Sequence, residues 1–341
     1  MRCLTLADAL RERGAHTRFV CRQLPDEMHA RMKLAGHEVT CLPALTAAEP
    51  ADELAQSSML GTSQAHDARD ALSALADRAW ELLVVDHYAI DARWESALRS
   101  AARRIMVIDD VADRAHDCDL LLDQNLHADM STRYDGRIDP GTRRLLGPEF
   151  ALLRPEFAEL RSQVLPRDGH IRRVFVLFGG FDALNFTGRT LAVLERVALA
   201  DVDVDVVIGA GHPHRGQIER DCARLDFDCH VQSEEVAQLM ASADLAFGAG
   251  GSSSWERCCV GLATLCVSFA DNQRSIALAL AAAGASEFVG DEQTATGRRL
   301  EELLRALVAD PERVRRMSER AFALVDGQGA RRVCDAIEGN A

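Results

Sequence analysis

The 341-residue chain lacks the features of several protein classes, and each absence narrows its function. No apolar stretch reaches the roughly 18 to 20 residues of a membrane span, and the longest one, residues 276–283, is typical of a buried helix. Acidic residues outnumber basic ones by 53 to 39, so the chain has no basic footprint for nucleic acid. The amphipathic, charged start is unlike a secretory signal. We therefore predict a cytoplasmic protein that binds neither membrane nor nucleic acid.

Motifs for metals and common cofactors are also missing. None of the ten cysteines forms a C-x-x-C pair, and most lie in apolar segments, which is typical of buried thiols in a reducing cytosol. His212 and His214 have no third ligand nearby, so we favour a loop over a metal site. The absence of G-x-G-x-x-G and of a P-loop lysine argues against NAD binding and ATP cleavage. Aromatic residues are only 5% of the chain and form no evident interface patch. We predict a monomer without metal or cofactor.

The chain does contain a repeated alternation of strands and helices. Short apolar, β-branched runs such as residues 82–88 alternate with helical patterns, and the alternation restarts near residue 172. This predicts an α/β protein with two doubly wound, Rossmann-like domains. The polar stretch at residues 162–170 marks the break, which divides residues 1–165 from residues 166–341. We expect a binding cleft between the domains, at the carboxyl ends of the strands.

The beginning of the first domain departs from this architecture. A Rossmann-like domain normally opens with a strand and a glycine-rich loop, whereas residues 4–13 already have helical spacing and Gly14 ends the helix. We therefore expect either a first sheet that lacks one strand or a true start upstream.

Two glycine-rich loops follow predicted strands and precede helices. Gly179-Gly180-Phe181-Asp182 could cradle a phosphate or form a tight turn. Gly248–Ser254 combines small residues with three serines, whose amides and hydroxyls would favour a pyrophosphate at a helix N-terminus. The alternative for this loop is a serine-rich helix cap. Glu256 could accept ribose hydroxyls or simply complement the helix dipole.

Polar side chains end three further strands. The run Asp86-His87-Tyr88 suits acid–base chemistry or sugar binding, although a lone histidine is as often structural. Asp109-Asp110 could bind a metal or act as acid and base, but one such acid more often caps a turn. Asn272-Gln273 could hydrogen-bond an amide or hydroxyl of a sugar, or Asn272 could cap the following helix.

Six segments, taken in this order, resemble one family. They read VVDHYAID, VIDDVADRAHDCDLLLDQN, LLGPEFALLRPEF, FVLFGGFDALN, AFGAGGSSSWERCCVGLATL and SFADNQ. Together they resemble the UDP-2,4-diacetamido-2,4,6-trideoxy-β-L-altropyranose hydrolases of pseudaminic acid biosynthesis. That family is similar in fold to GT-B glycosyltransferases such as the enzyme that adds N-acetylglucosamine in making lipid II. The resemblance covers nearly the whole chain.

The resemblance implies a reaction and a set of site residues. Water would displace UDP at the anomeric carbon with inversion and without an essential metal, releasing the free 2,4-diacetamido sugar. The second domain would hold UDP, with its glycines and serines on the diphosphate and Glu256 on the ribose. The expected substrate-binding residues are Arg2, Asp86, His87, Gly179, Gly180, Asp182, Gly251, Ser252, Ser253, Ser254, Glu256 and Gln273. Tyr88 and Asn272 are the expected catalytic residues.

The start of the chain departs from the family pattern. Family members open with a strand and a loop of the form G-x-G-H-x-x-R, and Met1–Leu4 resembles the tail of that loop, with Arg2 as its arginine. The histidine expected to act as general base would then precede Met1. Loss of a general base typically costs about 10²- to 10⁴-fold in rate, so we expect UDP binding with weak turnover. Equal hydrolysis rates for this chain and for one extended from the genomic sequence would contradict this expectation.

Two alternatives remain open at this point. A GT-B glycosyltransferase would use the same UDP site with an acceptor hydroxyl in place of water. A non-catalytic nucleotide-sugar binder would hold UDP without turnover. Release of free sugar in the absence of an acceptor distinguishes the hydrolase from both.

Overall fold

The computed structural model describes residues 1–45, 53–54 and 56–339. Its strands, in chain order, are β1 (Arg18–Cys21), β2 (Glu38–Cys41), β3 (Trp80–Val85), β4 (Ala102–Ile108), β5 (Leu120–Asp123), β6 (Arg143–Leu146), β7 (Arg173–Leu177), β8 (Asp203–Ile208), β9 (Asp228–Val231), β10 (Leu245–Ala249), β11 (Ala263–Ser268) and β12 (Ser286–Asp291). Its α-helices are α1 (Arg2–Glu12), α2 (Asp26–Leu34), α3 (Gln64–Leu75), α4 (Ala92–Leu98), α5 (Pro155–Arg161), α6 (Phe186–Val197), α7 (Arg215–Leu225), α8 (Val236–Ser242), α9 (Ser253–Cys259), α10 (Asp271–Ala282), α11 (Gly297–Val308), α12 (Pro311–Leu324) and α13 (Gly329–Glu338). Short 3-10 helices lie at Ser57–Met59 and Pro148–Phe150. Within the described part of the chain, no helix has the length and apolar composition to cross a membrane.

The chain divides into two compact α/β units, as the alternation of strands and helices predicts. The first unit comprises the described residues of Met1–Asn125, Asp129–Leu152 and Gly329–Ala341. The second comprises Leu126–Ala128 and Leu153–Gln328. The expected cleft between them stays a prediction.

These bounds differ from the predicted division at residue 165 in two respects. The chain passes from the first unit to the second after Leu152, and α13 returns to the first unit. Leu6 of α1 and Val333 of α13 share one buried cluster, and Arg13 Nη1 lies 2.7 Å from the Asp335 carboxylate. The amphipathic pattern of α13 predicts a packed helix, but it carries no information about which unit the helix covers.

The first unit contains two parallel sheets. One pairs β1 with β2, and the other pairs β3, β4, β5 and β6 in that order. Successive residues of the central strands enter different buried clusters: Ile105 lies in one and Met106 in the other. Because helices cover both faces, these strands are apolar without alternation. Among the described residues, β1 pairs only with β2 and β3 only with β4, so no strand joins the two sheets.

The second unit is a six-stranded parallel sheet with the order β12-β11-β10-β7-β8-β9. Strand order reverses between the neighbouring strands β7 and β10. In open α/β sheets, ligands bind beyond the carboxyl ends of the strands at such a reversal. Both glycine-rich loops predicted from the sequence leave the sheet at this point, one after β7 and one after β10.

Candidate functional site

The loop after β10 is fixed against the beginning of α10. Gly250 N donates to Val267 O at 2.9 Å, which ties the loop to β11. A Cβ at Gly250 would lie 2.8 Å from Gln273 O, so this close approach of two backbones requires glycine. The loop therefore has a defined position at the reversal of strand order.

Three consecutive amides of this loop are available to a ligand. Ser254 N and Trp255 N donate to Gly251 O and Ser252 O at 2.9 and 3.1 Å. In contrast, the amides of Gly251, Ser252 and Ser253 have no acceptor among the described residues. Successive unpaired backbone N–H groups in such a turn form an anion-binding concavity. The predicted positions Gly251, Ser252 and Ser253 thus lie together with suitable chemistry for a phosphate.

Ser254 and Arg257 lie beneath this loop. The Ser254 side chain is buried and its Oγ lies 3.4 Å from Ala249 O, so it supports the loop from within rather than offering its hydroxyl to a ligand. Arg257 Nη2 donates to Ser254 Oγ at 3.0 Å and to Ala249 O at 2.7 Å. Sequence reasoning did not single out Arg257. The available signal was its position on the same helix, three residues after Ser254 and four after Ser253, because side chains at these spacings lie close together.

Glu256 already has a basic neighbour in the second unit. Arg154 Nη2 lies 3.7 Å from Glu256 Oε1, and Arg154 also pairs with Glu156 at 2.8 Å. Burial raises the pKa of Glu256, and the nearby charge of Arg154 opposes this shift. The Glu256 side chain is 23% exposed. Glu256 can therefore accept a ligand hydroxyl while it remains close to Arg154.

Gln273 lies beside the loop, and Asn272 precedes it in the first turn of α10. Gln273 Oε1 accepts from Phe269 N, and Gln273 N donates to Asn272 Oδ1, both at 3.0 Å. Gln273 Nε2 is 3.8 Å from the position that a Cβ on Gly251 would occupy. The structure thus brings Gln273 next to the amides after β10.

The loop after β7 forms the other side of the reversal. Gly179 has φ +98°, and both Gly179 and Gly180 are exposed. Gly180 O accepts from Gly209 N at 3.1 Å, and a Cβ at Gly209 would lie only 2.3 Å from Gly180 O. The glycine loops after β7 and β8 therefore pack backbone to backbone.

Asp182 has a different role from the one that the sequence predicts. Its carboxylate is fully buried, and it accepts from Phe186 N at 3.0 Å and from Thr187 N and Oγ1 at 2.8 and 2.7 Å. This side chain occupies the N-terminus of α6, where a phosphate would otherwise bind. We therefore correct the prediction that the Asp182 side chain contacts the substrate: it caps α6.

An Asp182→Ala variant should lower the free energy of unfolding by about 2 kcal/mol, because two amides and one hydroxyl lose their buried acceptor. The affinity for UDP should stay within about 2-fold of the parent value, since the carboxylate is enclosed by its contacts with α6. Urea unfolding and calorimetric titration with UDP measure the two effects. A 10-fold loss of UDP affinity at unchanged stability would show instead that Asp182 contacts the ligand.

In the first unit, Arg2, Asp86 and Tyr88 form a cluster with Asp110. Arg2 donates to both carboxylate oxygens of Asp86, from Nη2 at 2.7 Å and from Nε at 3.0 Å. Arg2 Nη1 also donates to Asp110 Oδ2 at 3.1 Å. Tyr88 Oη donates to the same oxygen at 3.3 Å. Three of the predicted residues are thus brought together, and Asp110 joins them.

Protonation in this cluster follows from burial and charge. Burial, together with the charge of Asp110, raises the pKa of Tyr88 to about 12. Burial would raise the pKa of Asp86, but the hydrogen bond and charge of Arg2 more than offset it, so the pKa lies below its usual value. Near neutral pH Tyr88 is therefore a phenol that donates a hydrogen bond.

His87 and Asp109 have structural roles near this cluster. Among the described residues, the His87 ring bonds only to Ala89 N, at 3.1 Å, which stabilises the turn after β3. Asp109 is buried, pairs with Arg114 at 2.9 Å and accepts from Ala112 N at 2.8 Å. The structural alternatives for these two residues fit the geometry better than the functional ones.

Comparisons with known proteins agree with this architecture. Residues 173–333 match the model of the glycosyltransferase family 28 C-terminal domain. Over 210 residues the chain is 28% identical to the spore coat polysaccharide biosynthesis protein SpsG of Bacillus subtilis (strain 168). This segment covers 59% of the chain and 60% of SpsG, so the chain spans less than two thirds of that relative.

Two solved structures share the fold of the whole chain. Acinetobacter baumannii MurG has a TM-score of 0.67 at 14% identity, over 99% of this chain and 95% of MurG. The UDP-GlcNAc 2-epimerase of Neisseria meningitidis, solved bound to UDP-GlcNAc, has a TM-score of 0.60 at 12% identity, over 99% of this chain and 97% of the epimerase. The predicted two-domain, Rossmann-like GT-B fold is therefore confirmed.

Proposed function

We propose that this chain binds a UDP-sugar through its second unit and hydrolyses it at the anomeric carbon. The observation that carries the proposal is the row of unpaired amides at Gly251, Ser252 and Ser253, located where the strand order reverses. The match of residues 173–333 to a glycosyltransferase C-terminal domain supports a nucleotide-sugar ligand. The structural likeness to an epimerase solved with UDP-GlcNAc supports it as well.

The second unit would act mainly on the leaving group. In the reaction, the bond between the anomeric carbon and the diphosphate oxygen breaks, and UDP departs with the electron pair. A water oxygen bonds to the opposite face of that carbon, which inverts the configuration, and the proton it gives up passes to bulk water. Amides that are already oriented stabilise the growing negative charge on the diphosphate without reorganising. Gln273 and Asn272, beside the same loop, would contact the sugar end of the donor.

The first unit would act on the sugar. A phenol with a pKa of about 12 keeps its proton through the physiological range, so Tyr88 would not remove a proton. Because its O–H is donated to Asp110, its oxygen would accept a hydrogen bond from the sugar. Asp110 and Arg2 fix the orientation of that phenol. The identity of the sugar, UDP-2,4-diacetamido-2,4,6-trideoxy-β-L-altropyranose, rests on the resemblance of the six sequence segments.

A GT-B glycosyltransferase is the second candidate. The family 28 domain match favours it, because that description names a transferase. The transferase would use the same amides for the UDP leaving group and would replace water by an acceptor hydroxyl. The two candidates therefore differ only in the nucleophile.

Proton NMR of the protein with the UDP-linked 2,4-diacetamido sugar, without metal or acceptor, tests the proposal. At high protein concentration we expect UDP and free sugar to appear despite the weak turnover expected for this chain, with the inverted anomeric configuration in the first product. UDP-N-acetylglucosamine serves as the matched control for sugar selectivity. An unchanged spectrum in the presence of UDP binding would contradict hydrolysis, and turnover only after addition of an acceptor would establish the transferase.

A further inference from the structure

Arg257 is a buried charge with no ion pair in the described part of the chain, although the charge of the adjacent Glu256 acts on it from further away. Its side chain is among the largest that are fully enclosed, and Nε has no hydrogen-bond partner among the described residues. Its other contacts are neutral: Ala249 O, Ser253 Oγ and Ser254 Oγ. Burying a guanidinium without a hydrogen-bonded counter-charge is costly, so the rest of the fold must offset this cost.

The surroundings hold the guanidinium in one place. A Cβ at Gly248 would lie 2.7 Å from Arg257 Nη1, so the strand leaves space for this side chain only because residue 248 is glycine. Trp255 and Cys258, on the same helix, are also buried. Burial lowers the pKa of Arg257, but an arginine side chain keeps its proton in proteins. The positive charge is therefore fixed directly beneath the loop after β10.

The hydroxyl of Ser253 connects this charge to the ligand side of the loop. Ser253 Oγ accepts from Arg257 Nη1 at 3.1 Å. A hydroxyl that accepts from a guanidinium turns its own proton away from it, and that proton has no acceptor among the described residues. Ser253 is partly exposed and lies in the row of unpaired amides, so its proton is available to a phosphate oxygen there.

We infer that Arg257 is a positioning residue that orients the Ser253 hydroxyl as a donor and supplies the buried counter-charge for the diphosphate of the ligand. The inference rests on the proposed UDP site and extends it to a residue that would not touch the ligand. Because the charge acts on the diphosphate, it should favour UDP and inorganic pyrophosphate over uridine. A role confined to supporting the loop would weaken all three ligands alike.

Calorimetric titrations of the parent and three variants with UDP, uridine and inorganic pyrophosphate test the role of Arg257. Arg257→Met keeps the bulk of the side chain and removes the charge, and it should weaken UDP and pyrophosphate binding by about 10- to 30-fold. Uridine binding should stay within about 2-fold. Arg257→Lys should recover about half of the lost binding free energy, because an ammonium keeps the charge but cannot form the same fork. Ser253→Ala should weaken UDP binding by about 10-fold.

Equal losses for UDP and uridine in Arg257→Met would overturn the inference, and so would full UDP affinity in Ser253→Ala. If Arg257→Met fails to fold, the UDP affinity of Ser253→Ala tests the inference, since the partly exposed Ser253 side chain can be removed without opening the core. A parent that binds pyrophosphate but not UDP would refute the proposed function. The pyrophosphate affinities of the parent and the variants would then test the role of Arg257. A parent that binds neither UDP nor pyrophosphate would refute both the proposed function and the role of Arg257.

Discussion

A Gly248→Ala variant should bind UDP about 100-fold more weakly than the parent, because misplacement of binding groups by about 1 Å can cost that much. The added Cβ would lie 2.7 Å from Arg257 Nη1 and 3.1 Å from Leu177 O. The guanidinium is enclosed and the carbonyl belongs to the neighbouring strand, so neither can move away easily. The change should therefore displace Arg257 and the amides at Gly251–Ser253 together, at a cost in stability of about 1 to 3 kcal/mol.

Gly211→Ala is the matched control for this change. It lies in the loop after β8, where no atom comes within 4 Å of the added Cβ. Its UDP affinity should remain within about 2-fold of the parent. Calorimetric titration with UDP and thermal unfolding of both variants measure the effects. Parent-like affinity in Gly248→Ala would show that the loop geometry does not govern UDP binding.

The second large effect is expected in the first unit. Replacing Asp86 and Asp110 together by asparagine removes both carboxylates that surround Arg2. Arg2 would be left largely buried without a counter-charge, and we expect a loss of about 2 to 3 kcal/mol in stability. Because Tyr88 would lose its charged acceptor and the ion pairs that fix its orientation, turnover should fall by about 10²-fold. UDP affinity should stay within about 2-fold, since the proposed UDP residues belong to the second unit.

The pH dependence of this stabilisation follows from the lowered pKa of Asp86. A carboxyl whose pKa is lower in the folded state stabilises the protein above its unfolded pKa, near 3.9 for aspartate. That contribution is lost as the pH falls through the folded value. The stability difference between parent and double variant should therefore be constant near neutral pH and shrink below about pH 4.

Glu81→Gln is the control for this experiment, because it removes an exposed acid that lies 3.4 Å from Arg103. Exposed pairs contribute about 0 to 1 kcal/mol, so its unfolding curve should follow that of the parent. Urea unfolding across the acid range and the NMR assay of turnover are the measurements. A double variant with normal turnover would exclude the cluster from the reaction.

The sheets and the loops at their ends could be predicted from the sequence for a physical reason. A strand covered on both faces must be apolar along its length, and a polar or glycine-rich segment after it must leave the sheet. The run at residues 105–108 and the glycines at 179–180 and 250–251 show this pattern plainly. These local signals sufficed to predict two α/β units and to place the amide row after a strand.

The remaining features depend on contacts that a linear pattern does not contain. Asp182 precedes a helix as a ligand residue would, and only the three-dimensional structure shows that its carboxylate turns back onto α6. Ser254 follows Ser253 directly, yet one hydroxyl faces the interior and the other lies partly exposed. Arg257 has the composition of a surface residue and is enclosed nonetheless. In each case the direction of a side chain, rather than its type, decides its role.

The measurement that tests the central claim most directly is an NMR titration of the isotope-labelled protein with UDP, observed at the backbone amides. The account predicts saturable shifts that are largest at Gly251, Ser252 and Ser253, with smaller changes at Gln273 and none at the Asp182-capped start of α6. Addition of uridine alone should leave those three amides nearly unchanged. Saturable UDP binding that leaves these three amides unshifted would contradict the account.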